Sequence, residues 1–241
     1  MLRESSLNEL EQKIGYCFKD RALLKQALTH SSFANEQRIN RMKDYERLEF
    51  LGDAVLELAS SEFLYAEYPK LSEGDLTKKR STMVCGASLA FCARDIELDR
   101  YILLGKGEEA TGGRGRESII SDVMEAVIGA IYLDGGYEPA SRFIHRFVLS
   151  DLEHKQLFYD SKTLLQEYVQ KDSRTTLHYV VVEETGPDHA KEFVIEAMIN
   201  GQVLGRGVGK TKKAAEQQAA YEALLASRGK ELGRGYVFKE Y

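Results

Sequence analysis

Over roughly the first 150 residues, apolar positions recur every three to four residues, the period of helices packed on a core. "SLNELEQKIG" places Leu7, Leu10 and Ile14 on one face and stops at Gly15. Asp20 is a cap for "DRALLKQALTH". A long helix is predicted from about Asp44 to Tyr68, ended by Pro69, with Leu48, Leu51, Val55 and Leu58 as its core stripe. Ser72 and Asp75 form a capping box that opens another helix, expected to reach about Ala93. "LLGKGEEATGGRGRES" carries Gly105, Gly107, Gly112, Gly113 and Gly115 and reads as a loop. A helix follows from about Ser118 to the "DGG" at 134–136, and Pro139 sits in the first turn of one more, reaching about Leu152.

The period then shortens. "KTLLQEYVQ" is helical, but "LHYVVVEE", "KEFVIEAMI" and "QVLGRGVG" are β-branched and alternating, as strands are. Asn200-Gly201 between the last two is a strong signal for a two-residue hairpin turn. The Ala-rich "TKKAAEQQAAYEALLAS" closes the unit as a helix. The expected fold is therefore multi-domain: an all-α domain at 1–154, a linker at 155–160, a small α+β domain of order α-β-β-β-α at 161–229, and a mobile tail at 230–241.

Composition changes this picture little. The longest apolar run, "VMEAVIGAIYL", is too short to span a bilayer and contains Glu125, so no membrane association is expected. Cys17, Cys85 and Cys92 form no metal-type cluster and cannot all pair, which suits free thiols in a reducing, cytoplasmic setting. The net charge of −5 does not advertise a nucleic-acid partner. Whole-chain charge is a weak guide, however, because clusters decide where a polyanion docks.

One cluster is acidic. Glu46, Glu49, Asp53 and Glu57 ride on the long helix among large apolar neighbours, and Glu49 and Asp53 lie one turn apart on a single face. In "SDVMEAVIGA", Asp122 and Glu125 form a second pair, again one turn apart in an apolar setting. Spacing alone admits two readings. They are solvated acidic faces of amphipathic helices, or they are two pairs of carboxylates that face each other. Gly52 favours the second, since a mid-helix glycine costs about 1 kcal/mol and marks close approach of a backbone or a ligand. Four carboxylates without His or Cys would make a hard oxygen site suited to Mg²⁺ or Mn²⁺, which can activate water for phosphodiester hydrolysis.

A second cluster is basic. Lys210, Lys212 and Lys213 gather at the N-terminus of the closing helix, where free amides and the helix dipole favour phosphate. "TGPDHAKEF" presents His189, and the helix before the strands shows Thr163, Gln166, Glu167 and Gln170. Together these suit double-stranded RNA, read through shape, phosphate and 2′-hydroxyls. A generic α/β domain with a solvated lysine cluster is the plainer alternative. The glycine loop, with Lys106, Arg114 and Arg116, is either an RNA contact or a connector. His30, His145, His154 and His178 read as surface or core residues rather than ligands.

"ERLEFLGD" at 46–53 resembles the signature of bacterial ribonuclease III. "LSEGDLTKKRSTMV", "GKGEEATGGRGRESIISDVMEAVIGAIYLDGG" and the series "KTLLQE", "GPDHAKEF" and "GVGKTKKAAEQQAA" are similar to that family in the same order. The resemblance implies a helical endonuclease domain, a double-stranded RNA-binding domain and a homodimer. It implies that Glu49, Asp53, Asp122 and Glu125 bind Mg²⁺, with Asp53 and Glu125 catalytic, and that Glu46 and Glu73 are accessory acidic groups. It assigns RNA contacts to Thr163, Gln166, Glu167, His189, Lys210, Lys212 and Lys213, and the dimer interface to Phe50. It further implies cleavage of duplex RNA to 5′-phosphate and 3′-hydroxyl ends during maturation of ribosomal RNA precursors and structured messenger RNA. A non-catalytic RNA binder on the same scaffold would be expected to lose the carboxylates, which this chain keeps. Tyr45 stands where the family often has Asn, and little consequence is expected from it.

Overall fold

The computed structural model describes residues 3–37, 43–150, 152–170, 175–186, 191–209 and 211–231. It divides into two units, Met1–Leu152 and Glu153–Tyr241.

The first unit is helical. α1 (Glu4–Ile14) ends at Gly15, whose left-handed φ of 69° returns its amide to the helix. α2 (Arg21–Ala27) starts under the Asp20 carboxylate, which accepts the Ala22 amide at 2.9 Å. A short α3 (Ser31–Glu36), not foreseen in the sequence, follows directly. α4 (Glu46–Glu67) is the long helix. The stretch expected to run from Ser72 to Ala93 as one helix is two: α5 (Glu73–Met83) and α6 (Gly86–Asp95). The capping box is present, with Ser72 Oγ accepting the Asp75 amide at 3.3 Å. The glycine-rich segment is not a plain loop, for it folds into α7 (Lys106–Ala110) and a 3-10 turn at Gly113–Gly115.

α8 (Glu117–Gly135) is apolar on nearly every side, as a helix at the centre of a domain must be. Ile120, Val123, Met124, Ala126, Val127, Ile128, Ala130 and Ile131 are fully buried along it. α9 (Tyr137–Ile144) runs into a π-helical turn, His145–Leu149.

The buried face of α4 differs from the expected stripe. Leu48 and Val55 are buried, but the face continues through Gly52, Leu56, Ala59 and Leu64, while Leu58 is 54% exposed. The rotation follows from Gly52, which lets α8 cross α4 in its N-terminal third.

In the second unit, α10 (Leu152–Gln170) is helical across 155–160, the stretch read as a linker. The strands β1 (Leu177–Thr185), β2 (Glu192–Ile199) and β3 (Gln202–Gly209) form an antiparallel sheet in that order. Asn200 and Gly201 both take positive φ, 50° and 78°, as the tight hairpin requires. α11 (Lys212–Glu231) covers one face of the sheet over Phe193, Ile195 and Ala197. Its backbone lies almost on β3, since a β-carbon at Gly205 or Gly207 would stand 2.1 Å from a carbonyl oxygen of α11. The order α-β-β-β-α is the one the periodicity predicts. His189, Lys210 and the tail from 232 onward lie outside the described residues.

Candidate active site

The two acidic helices meet where they carry glycine. A β-carbon on Gly52 would stand 1.8 Å from the Glu125 carbonyl oxygen, and one on Gly129 would stand 2.2 Å from that of Leu48. α4 and α8 therefore cross with their backbones in contact. Glu49 and Asp53, one turn apart beside Gly52, come alongside Asp122 and Glu125.

Glu49, Asp122 and Glu125 register this crowded, half-buried setting in their pKa values. Glu125 is pushed up to about 8 by burial and then by Asp53, Glu49 and Asp122. Glu49 is pushed up to about 7 by burial and then by Asp122, Glu46 and Asp53. Asp122 is also raised by burial, against hydrogen bonds from Tyr45 and Ser121 and the attraction of His30. No lysine or arginine is among the groups that act on these three. Half-buried like charges that raise one another's pKa are costly unless a cation offsets them.

Among the described residues, no three His, Cys, Asp or Glu side chains are gathered about one point as metal ligands. The donor chemistry nonetheless fits a hard divalent cation: all oxygen, all anionic, and with no lysine or arginine acting on Glu49, Asp122 or Glu125. Of the accessory acids, Glu46 is exposed and adds to the raised pKa of Glu49. Glu73 opens α5 and accepts the Thr77 hydroxyl at 3.0 Å, and it is not among the groups acting on the four.

Two residues at the site escaped the sequence reading. Tyr45, expected to matter little, is only 4% exposed and its hydroxyl lies 3.4 Å from Asp122 Oδ2. His30 stacks obliquely on the Tyr45 ring, centroids 5.7 Å apart. The one available signal was the bulky Tyr45 directly ahead of an acidic helix.

Phe50 is 81% exposed, as are Leu58 at 54% and Tyr65 at 79%. At 100° per residue the three share one sector of α4, an apolar stripe on the surface. In the glycine-rich segment, Arg114 donates to the Asp99 and Ile102 carbonyls at 2.7 and 2.9 Å and pairs with Glu109, while Arg116 pairs with Glu108. These arginines hold the segment together.

In the second unit, Thr163, Gln166 and Glu167 are exposed on one face of α10. Lys162 Nζ meets Glu216 at 2.5 Å and the Ser161 hydroxyl reaches the Gln217 carbonyl at 2.9 Å, so α10 lies beside α11. Lys212 and Lys213 are exposed in the first turn of α11, behind Thr211, whose hydroxyl accepts the Ala214 amide at 3.1 Å. A polar helix face and a lysine-bearing helix start thus share one small domain. No helix among the described residues is long and apolar enough to cross a membrane.

Comparison with known proteins agrees with both halves of this description. The family model described as Ribonuclease-III-like matches residues 20–152, and that of the double-stranded RNA binding motif matches residues 161–226. Ribonuclease 3 of Shouchella clausii is 48% identical over 231 residues, 95% of this chain and 89% of the relative. Ribonuclease 3 of Geobacillus kaustophilus is 48% identical over 94% of this chain and 93% of its own length. A solved nuclease domain of ribonuclease III from Campylobacter jejuni, described for structural flexibility in a region involved in dimer formation, superposes with a TM-score of 0.57 at 42% identity. It covers 61% of this chain and 99% of its own. With a helical nuclease domain, an RNA-binding motif behind it and relatives matched over nearly their whole length, the chain belongs to the ribonuclease III family of double-stranded-RNA endoribonucleases.

Proposed function

We propose that Glu49, Asp53, Asp122 and Glu125 hold Mg²⁺, with Mn²⁺ as a substitute, and that the site hydrolyses phosphodiester bonds of duplex RNA to 5′-phosphate and 3′-hydroxyl ends. The observation that carries this reading is the crossing of α4 and α8 at Gly52 and Gly129, which brings Glu49 and Asp53 alongside Asp122 and Glu125, where burial and then neighbouring carboxylates raise Glu49 and Glu125 with no basic side chain acting on either. A divalent cation bound there supplies positive charge against the phosphate and acidifies water. The residues of the chain do the rest. Asp53 and Glu125 face the reacting phosphate, where their ionised carboxylates would hold the cation and the water it activates. Glu46 and Glu73 border the cleft.

Binding is the task of the second domain. Lys212 and Lys213 engage phosphates at the start of α11, and Lys210, two residues earlier in sequence, joins them in contacting RNA. Thr163, Gln166 and Glu167 hydrogen-bond sugar hydroxyls, and His189, which falls between β1 and β2 in sequence, adds a further RNA contact. The stripe of Phe50, Leu58 and Tyr65 is the face on which a second copy docks, giving a homodimer with two sites for two antiparallel strands. The substrates inferred are precursors of ribosomal RNA and structured messenger RNA in the cytoplasm.

The test is a gel of long duplex RNA incubated with the protein in Mg²⁺ and in EDTA, beside duplex DNA of the same sequence. Cleavage confined to RNA with Mg²⁺ is the expected result. Full activity in EDTA, or equal cutting of both duplexes, overturns the reading.

A further inference from the structure

We propose that Tyr45 is a positioning residue for the acidic site: from its buried place between His30 and α8, its phenol O–H holds one oxygen of Asp122 so that the carboxylate is pre-set for the cation. The inference rests on the reading of Asp122 as a metal ligand given above.

Three anchors converge on Tyr45. Its amide donates to the Thr29 carbonyl at 2.9 Å, tying it to the segment after α2. Its carbonyl accepts the Leu48 and Glu49 amides at 2.8 and 2.9 Å, the first hydrogen bonds of α4. Its hydroxyl reaches Asp122 Oδ2 on α8 at 3.4 Å. One side chain therefore spans the two helices that carry the acidic pairs, from just ahead of Glu49 to Asp122. The ring cannot easily swing away, being 4% exposed and packed on His30. His30 is fixed in turn, with Nδ1 2.7 Å from Ser32 Oγ, and that oxygen accepts the Gly105 amide at 2.9 Å.

The direction of the hydrogen bond follows from the chemistry. An ionised carboxylate only accepts, so the phenol donates. A phenol ordinarily loses its proton only near pH ~10, so at neutral pH it has one to donate. The bond occupies Oδ2, while Oδ1 faces the Ser121 hydroxyl at 3.5 Å. Carboxylates that bind metals are commonly oriented this way, and loss of the orienting group typically costs 10–100-fold in affinity. The 3.4 Å separation is long for a hydroxyl donor, which sets the expected effect at the lower end, about tenfold.

The experiment uses the full chain and Mn²⁺ as probe, its affinity read from the paramagnetic resonance of the free ion. Tyr45→Phe, Asp122→Asn and the double variant are compared with wild type, each with a melting curve in EDTA. Tyr45→Phe keeps the ring on His30 and removes one oxygen. The expected result is Mn²⁺ binding weakened about tenfold by Tyr45→Phe, more by Asp122→Asn, and no further loss in the double variant, because one residue acts through the other. Cleavage of duplex RNA by Tyr45→Phe should recover when Mg²⁺ is raised. Wild-type Mn²⁺ affinity in Tyr45→Phe, with Asp122→Asn weakened, overturns the role of Tyr45 and leaves the site standing. Additive losses, or a lowered melting temperature of Tyr45→Phe in EDTA, make the hydroxyl a structural group and also overturn it. Undiminished Mn²⁺ binding by Asp122→Asn removes the metal-site reading itself.

Discussion

The carbonyl oxygen of Glu125 occupies the space that a side chain at Gly52 would need: a β-carbon there would stand 1.8 Å away. The acidic site exists because α4 at Gly52 and α8 at Gly129 both lack a side chain where they cross. Gly52→Ala gains about 1 kcal/mol of helix propensity. It must also drive two packed helices apart, and overpacking of a rigid core costs about 3 kcal/mol where backbone is the obstacle. The expected outcome is a lower melting temperature together with a loss of Mg²⁺-dependent stabilisation, checked by thermal melts with and without Mg²⁺. An unchanged melt would mean that the helices shift freely.

Glu125→Gln should separate binding from cutting. The amide keeps size and helix propensity but removes one charge from the site. Cleavage should fall by roughly a hundredfold, the scale of losing one electrostatic stabiliser. RNA affinity should hold or rise slightly, since a negative charge near a polyanion is removed. Mobility shift and cleavage on one preparation decide it. Near-normal cleavage would return the acidic faces to the status of solvated helix surfaces.

The pH dependence of stability follows from Glu49 and Glu125, whose folded pKa values of about 7 and about 8 lie above the ordinary 4.5. Between about 4.5 and 8 the native protein holds protons that the unfolded chain has released. Stability is then greatest below the unfolded value and declines as pH rises through the folded ones. In EDTA the contribution of these two groups should lower the melting temperature from pH 5 toward pH 8. Added Mg²⁺ should stabilise most at the alkaline end, because binding requires the deprotonated groups. A melting temperature that rises toward pH 8 in EDTA would contradict the coupling.

Replacing Lys212 and Lys213 by Ala should weaken binding of duplex RNA about equally across sequences. The slope of log affinity against log salt should flatten by about one for each phosphate that a lysine no longer neutralises. The carboxylates are untouched, so cleavage at low salt and high enzyme concentration should persist. Salt titration of a mobility shift is the measurement, and an unaltered slope would mean that neither lysine engages a phosphate.

Phe50→Ala should shift the sedimentation coefficient toward that of a monomer. Phe50, Leu58 and Tyr65 are 81%, 54% and 79% exposed along one side of α4, and an apolar stripe of that kind marks a surface for a partner. A dimer that persists unchanged at micromolar concentration would assign the interface elsewhere.

Periodicity, caps and turn chemistry were enough to read the architecture from the chain. The 3.6-residue pattern, the Ser72 box, the Asn200-Gly201 turn and the alternating strands depend on neighbours in sequence, where local sterics and hydrogen bonding decide. The four carboxylates could be nominated in the same way, as two pairs each a turn apart. What local spacing could not show was that the pairs share a site. That depends on the crossing of α4 and α8 at Gly52 and Gly129, a meeting of residues far apart in the chain. The same crossing turned the core face of α4 away from Leu58. The break between α5 and α6, and the folding of the glycine-rich segment by Arg114 and Arg116, were likewise settled by packing and by long side chains finding carbonyls and carboxylates outside their own turn. Tyr45 is the sharpest case. In sequence it is one residue ahead of a signature, and only the approach of α8 brings Asp122 within reach of its hydroxyl.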